Sequence, residues 1–310
     1  PPPPPPPTPP PPPHLSVMTF YGFNETAQCG WSNVMWQELQ AGPHDQPFKK
    51  NLSVALWELA SFSEHCNGTG FVMLPPALFA SPGNRLPANW EAALETFEST
   101  VAPFVANGTA IGIFMGDEKL CGGVPLSNYS AVAEHLRKRF GNRILLYGNE
   151  CSFTVGSIGA VPTELDLFSF DYYDAANTDG AAEVAGVRET AETVVFPKMA
   201  PHQRLLLVPG IYGNTPSSCA AHGGGAACAL DRQAEQVVRK LDLYLEWAKS
   251  EPRVVGFNPW HFSHRGPQNA PQNDMAIGGE EMPMVLAKLR DIGTYIVSQG
   301  LPPPRSLRTV

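Results

Sequence analysis

The apolar and polar positions of the chain repeat one rhythm: a short apolar, β-branched or aromatic run, a polar or glycine-rich loop, then a longer amphipathic stretch. Eight runs read as strands: Val17 to Gly22, Ser53 to Leu56, Gly70 to Leu74, Ala110 to Met115, Arg143 to Tyr147, Leu165 to Tyr172, Arg204 to Val208 and Val254 to Phe257. Apolar residues at three- and four-residue spacing predict helices over Trp31 to Gln40, Trp90 to Val105, Tyr129 to Phe140, Gly180 to Phe196, Asp231 to Lys249 and Glu281 to Ser298. The second strand, Ser53 to Leu56, and the helix that should follow it are the least regular unit.

Strands alternating with helices imply parallel pairing through right-handed crossovers, and nearly continuous apolar runs imply strands covered on both faces. Eight such units within residues 14–300 predict an α/β fold, a single (β/α)8 TIM barrel. The competing architecture is a doubly wound open sheet. When that fold binds nucleotides its first βα turn is glycine-rich, whereas the turn here reads Gly22-Phe23-Asn24-Glu25.

Composition changes the picture at the ends. Of 33 prolines in 310 residues, twelve lie in the first thirteen positions, so residues 1–13 are expected to form an extended polyproline II linker, with docking to a proline-recognition domain as the alternative. Residues 301–310 read as a proline-broken tail. A net charge of -8 supplies no basic face for a phosphate backbone, and no apolar run reaches the roughly eighteen residues of a membrane span. Nucleic acid and a membrane span are therefore not expected partners, and the protein is expected to be a monomer. Five Asn-x-Ser/Thr sequons, at Asn24, Asn51, Asn67, Asn107 and Asn128, stand beside six cysteines and point to a secreted, oxidised and glycosylated chain whose signal peptide lies outside this segment.

In a barrel of this kind the working residues lie just after the strands. Here those positions read Gly116-Asp117-Glu118 after the fourth, Gly148-Asn149-Glu150 after the fifth, Asp171-Tyr172-Tyr173-Asp174 after the sixth, Ile211-Tyr212-Gly213-Asn214 after the seventh and Asn258-Pro259-Trp260-His261 after the eighth. Carboxylates, tyrosines, amides and a tryptophan around one mouth suit the holding and cutting of a sugar. Cleavage needs one protonated carboxyl for the leaving oxygen and a second group to support the oxocarbenium-like centre. Glu118 is the candidate acid, because burial and the adjacent Asp117 both oppose its ionisation. Glu150, Asp171, Tyr173, Tyr212, Asn258 and Trp260 are candidate substrate-binding residues, the rings packing on sugar C–H faces.

These positions resemble the retaining (β/α)8 glycoside hydrolases of the chitinase and hexosaminidase type. Asp117-Glu118 is similar to the hexosaminidase acid and its helper, Asp171-Tyr172-Tyr173-Asp174 to the chitinase-like tyrosine-aspartate end, and Trp260 to the tryptophan of the pocket floor. The resemblance implies that the substrate's own 2-acetamido group is the nucleophile, with Glu118 as acid/base, Asp117 orienting the acetamide and Tyr172 or Tyr173 donating to it. The aspartates spaced ahead of the chitinase glutamate are absent between Ile111 and Met115. A second enzyme reading uses Glu118 and Glu150 as two carboxylates on adjacent strands; Asn149-Glu150 resembles the Asn-Glu pair of another barrel glycosidase clan, which carries it on strand four with a further Glu on strand seven. A third reading keeps the aromatic mouth without turnover, as a lectin-like glycan-binding barrel.

Plainer readings accompany these. An Asp-Glu pair at a strand end also serves as a solvated cap, and one of Tyr172 and Tyr173 is expected to pack outward, since side chains alternate along a strand. His261, His264 and Asp274 lack the spacing of a catalytic zinc site, so no metal or cofactor is expected. The glycine-rich loop holding His222 between Cys219 and Cys228 reads as a disulfide-closed excursion. Six cysteines allow fifteen pairings. A Cys121 to Cys151 bridge would pin two neighbouring strand-end loops and leave Cys29 with Cys66.

Overall fold

The computed structural model describes residues 14–19, 29–37, 52–79, 85–173, 179–214, 228–260 and 277–300. The polyproline segment, the tail, the first βα turn, Asp174, the His222 loop, and His261, His264 and Asp274 lie outside the described residues. Eight parallel strands, β1 (Val17–Met18), β2 (Val34–Gln37), β3 (Thr69–Met73), β4 (Ala110–Asp117), β5 (Leu145–Cys151), β6 (Leu167–Asp171), β7 (Arg204–Leu207) and β8 (Val254–Phe257), follow the order β1-β8-β7-β6-β5-β4-β3-β2. The helices between them are α1 (Leu52–Cys66), α2 (Trp90–Ala106), α3 (Leu126–Phe140), the short α4 (Ser152–Val155), α5 (Gly180–Thr190), α6 (Leu230–Ser250) and α7 (Pro283–Ser298). This is the expected TIM barrel.

The strands alternate between two apolar layers, which is why their sequences read as unbroken apolar runs. Phe71, Met73, Ile111, Phe114, Leu145, Tyr147, Leu167 and Leu206 fill the barrel interior. Val72, Leu74, Ile113, Met115, Leu146, Phe168, Leu205 and Leu207 face the helices. Along α6 the buried positions Gln233, Val237, Leu241, Tyr244 and Ala248 recur every three or four residues, the stripe its amphipathic sequence predicts. Between α5 and α6 a fully buried ion pair joins Lys240 Nζ to Glu183 Oε2 at 3.0 Å.

Two expected elements exchange types. The apolar run Ser53 to Leu56 lies inside α1, where the buried residues Ala55, Leu56, Leu59 and Phe62 form one helical stripe. The segment expected as a helix, Trp31 to Gln40, carries β2. The physical reason lies in spacing: the apolar positions beginning at Val54 continue past Leu56 with helical period, whereas Val34 and Met35 are consecutive buried residues facing opposite layers.

The barrel closes differently at one seam. Between β1 and β2, among the described residues, a single backbone bond, Asn33 N–H to Met18 O at 3.2 Å, is completed by side chains. Asn33 Oδ1 accepts from Met18 N at 2.9 Å, Asn33 Nδ2 donates to Ser16 O at 2.7 Å, and Ser32 Oγ donates to Met18 O at 2.8 Å. One amide side chain thus does the work of a missing rung, since it carries both a donor and an acceptor. Helix α7 lies across the outside of this seam: a methyl group at Gly293 would meet the Trp31 carbonyl oxygen at 1.9 Å, so only glycine permits that approach.

Disulfides join Cys29 to Cys66 and Cys121 to Cys151, the two pairings expected from the strand-end arithmetic, and Cys228 is also disulfide-bonded. Of the sequon asparagines within the described residues, Asn67 and Asn107 are exposed at the entries to β3 and β4, the end of the barrel opposite its mouth, while Asn128 is half-buried in α3. No described helix is long and apolar enough to cross a membrane.

Candidate active site

The C-terminal ends of β4, β5 and β6 bring four carboxyl groups together. Strand β4 loses register with β5 between Phe114 and Asp117, and the backbone turns through Gly116 at φ +111° and Glu118 at φ +50°. A non-glycine residue in the left-handed region is strained and persists only where its surroundings hold it. Here Glu118 N–H donates to Asn149 O at 2.9 Å and Glu118 O accepts from Gly122 N at 2.7 Å, so the turn is pinned on both sides of the residue it presents.

Asp117 stands at the end of a buried hydrogen-bond chain that crosses the barrel interior. Asn258 Nδ2 donates to the Tyr147 hydroxyl at 3.0 Å, Tyr147 pairs with Ser169 Oγ at 2.7 Å, Ser169 donates to Asn149 Oδ1, and Asn149 Nδ2 donates to Asp117 Oδ1 at 2.8 Å. Because Ser169 spends its hydrogen on Asn149, it accepts from Tyr147, and every link then points its donor toward Asp117. Bonds aligned head to tail polarise one another, and an ionised carboxylate is the acceptor that such a chain favours. Asn258, Tyr147, Ser169 and Asn149 are all fully buried.

The other carboxyls are tuned by burial and by one another. Burial, then the Asp117 charge, raises Glu118 above the ordinary glutamate value, against a hydrogen bond from Asp171 and the Lys119 ammonium. Asp171 is raised well above its ordinary value, first by burial and next by Asp117, with Asn149 opposing. Its Oδ1 and the Tyr173 hydroxyl are both buried without a well-formed hydrogen bond, although the phenol stands close enough to favour the Asp171 anion. Glu150 is pushed up to about 7, mainly by burial, although both its oxygens accept backbone N–H bonds, from Leu120 and Cys121, each at 2.9 Å.

Across the mouth, the ends of β6 and β8 contribute rings. Trp260 stacks on Tyr173 with centroids 5.2 Å apart and 20° between planes, and Tyr212 meets Trp260 edge-on at 5.1 Å. Tyr173 and Trp260 are partly open, whereas Tyr212 is fully buried and supports them from behind. On the rim beside Cys151, Phe153 of α4 is 80% exposed.

The structure therefore divides the expected site residues. Asp117, Glu118, Asp171, Tyr173 and Trp260 converge at the opening. Glu150, Tyr212 and Asn258 are buried beneath it, so these three expected substrate contacts have no open surface to offer. Tyr172 is a correction: its ring packs on the helix layer, where a methyl group at Gly186 of α5 would fall 2.5 Å from its hydroxyl, because alternation turns Tyr172 out as it turns Tyr173 in. The chain Tyr147-Ser169-Asn149 went unread in the sequence. Its one available signal was a polar residue at an inward-facing position of a buried strand. The Glu118 carboxylate and the sulfurs of Cys121 and Cys151 lie within 4.8 Å of one another, but the sulfurs are bonded to each other and are not a metal ligand set.

No protein-family profile and no curated protein matches the chain at the level of sequence. Solved structures do match in fold. A GH113 β-mannanase from Alicyclobacillus acidocaldarius aligns over 90% of this chain and 98% of its own, at 14% identity and a TM-score of 0.52. A family 5 mannosidase from Rhizomucor miehei covers 92% and 87%, at 12% identity and 0.53. A β-glucuronidase from Ruminococcus gnavus covers 91% of this chain and 50% of its own, at 10% identity and 0.57. All three are glycoside hydrolases, and what the chain shares with them at such identities is the (β/α)8 architecture.

Proposed function

We propose that the chain is a secreted glycoside hydrolase acting with retention, in which Glu118 is the general acid/base. The observation that carries this reading is the setting of Glu118: a half-buried carboxyl on a strained, pinned turn at the barrel mouth, raised by burial and by Asp117, with Tyr173 and Trp260 across the opening. A solvated cap needs none of this. A raised acid beside an ionised neighbour is the arrangement that keeps a proton available for a leaving glycosidic oxygen.

The supply of nucleophile follows from the remaining carboxyls. A two-carboxylate retaining site separates its groups by about 5–5.5 Å. The nucleophile must also be an anion: burial and the Asp117 charge hold Asp171 toward its protonated form, and Glu150 has both oxygens committed to backbone. Among the described residues this favours a nucleophile brought by the substrate, a 2-acetamido sugar, with Asp117 holding the acetamide nitrogen and the Tyr173 ring, rather than Tyr172, lining the opening beside it.

Hydrolysis of a panel of aryl β-glycosides with and without a 2-acetamido group, including the mannosides and glucuronides suggested by the structural neighbours, tests the reading with the wild type and Glu118→Gln. Turnover confined to acetamido sugars, and reduced about 10²- to 10⁴-fold in the variant, supports it. Turnover of plain glycosides moves the nucleophile to a carboxylate. Binding without turnover leaves a lectin-like barrel.

A further inference from the structure

Glu150 is the one carboxyl of the cluster that faces away from the opening, and it is held by contacts that would be wasted on a substrate ligand. It is 1% exposed, and its two oxygens take the successive N–H groups of Leu120 and Cys121. The next residue along β5, Cys151, is bonded through sulfur to that same Cys121. The segment from Gly116 to Cys121 is therefore tied to the end of β5 at Asn149 O, at the Glu150 carboxyl and at the Cys151 sulfur. The strained residue of that segment is Glu118, whose left-handed conformation no local preference would maintain.

From this geometry we infer that Glu150 is a positioning residue, which together with the Cys121–Cys151 disulfide braces the turn carrying Glu118 and fixes where its carboxyl stands in the mouth. The inference rests on the proposed hydrolase reading for its catalytic consequence, but the brace itself can be measured without turnover. It also gives Asn149-Glu150 a role other than that of a catalytic pair: Asn149 holds Asp117, and Glu150 holds the two amides at the far end of the turn that carries Glu118. A general acid displaced by about 1 Å loses on the order of a hundredfold in rate while the binding surface stays in place.

The test uses the intact chain with Glu150→Gln, which keeps the shape and one acceptor, Glu150→Asp, which keeps the charge on a shorter stem, and the paired Cys121→Ser/Cys151→Ser variant. The expected result for Glu150→Gln is a kcat lower by about tenfold to a hundredfold with KM within a factor of two. Glu150→Asp should recover part of the loss, and the pH limb belonging to Glu118 should persist in all variants. Removing disulfide and carboxylate together should cost more than the product of the separate losses, because each brace covers for the other. A rise in KM with kcat intact would make Glu150 a substrate contact. Loss as deep as that of Glu118→Gln, with the limb abolished, would make it catalytic, and an unchanged kcat in a folded variant would remove it from the machinery. Amide exchange at Leu120 and Cys121 separates the brace from the activity: both amides should be protected in the wild type and at least one released in Glu150→Gln, which keeps a single acceptor. Rapid exchange in the wild type overturns the brace even in an active enzyme, whereas protected amides in a protein that cleaves no sugar overturn the hydrolase reading alone.

Discussion

The two sides of the barrel mouth are built by different means. On the side of β4 and β5, Asp117, Glu118 and Glu150 are fixed by directed bonds, through the buried relay from Asn258, the pinned turn and a disulfide. On the side of β6 to β8, Tyr173, Tyr212 and Trp260 are held by stacking, with centroids 5.1–6.0 Å apart. A proton donor works only within a few tenths of an ångström of its target, so its surroundings spend hydrogen bonds on position. A flat apolar face tolerates sliding, and ring packing is enough to hold it.

That contrast predicts rate effects on one side and affinity effects on the other. After Glu118→Gln, the largest effect is expected from Asp117→Asn, about a hundredfold in kcat. Since the Asp117 charge raises Glu118, its removal lets Glu118 ionise at lower pH, and the alkaline limb of the kcat profile should move down. A limb that stays in place would remove Asp117 as the tuning charge. Trp260→Ala should act through KM, raising it about tenfold with kcat nearly unchanged, which oligosaccharide titration and initial rates distinguish. A fall confined to kcat would erase the distinction between the two sides.

Two smaller effects sharpen it. Tyr147→Phe deletes one donor of the relay and nothing that faces the mouth, so kcat should fall a few-fold and the alkaline limb should shift in the same direction as in Asp117→Asn, by less. The stability of the fold should also report Glu150. Its carboxyl ionises at about 7 when folded, above the usual value, so the fold favours the protonated form. That contribution is complete below about pH 4.5 and is lost as pH rises through 7, at most on the order of 3 kcal/mol. Melting curves from pH 5 to 8 should slope downward for the wild type and less so for Glu150→Gln. Parallel slopes would place the titration elsewhere.

Much of this was legible in residue order. Seven of the eight strands fall where the apolar runs lie, because strands covered on both faces leave an unbroken signature. The β1 run begins correctly at Val17, while β2 was concealed because Trp31, Val34 and Met35 stand three and four residues apart, the spacing of a helix face. Reactive residues after β4, β5, β6 and β8 were visible for the same reason that the barrel was: a strand end is easy to find. What the order of residues does not carry is direction. Glu150 and Asn258 sit at the expected strand ends yet point beneath the surface, and Tyr172 and Tyr173 part company through a single step of alternation. Ser169 and Tyr147 disappeared into apolar runs because their partners come from other strands.

The seam between β1 and β2 bears on how the protein is made. The strand that pairs with β1 is β8, and the helix that lies over Trp31 is α7, both near the far end of the described chain. At ribosomal rates of about 5–20 residues per second, β1 waits roughly 15 to 50 seconds for those partners to emerge. During that interval its edge is open, and the nascent barrel is a curved sheet able to accept a strand from a neighbouring chain. Sealing of the cylinder at β1 thus has to wait until the whole stretch between β1 and β8 has been translated.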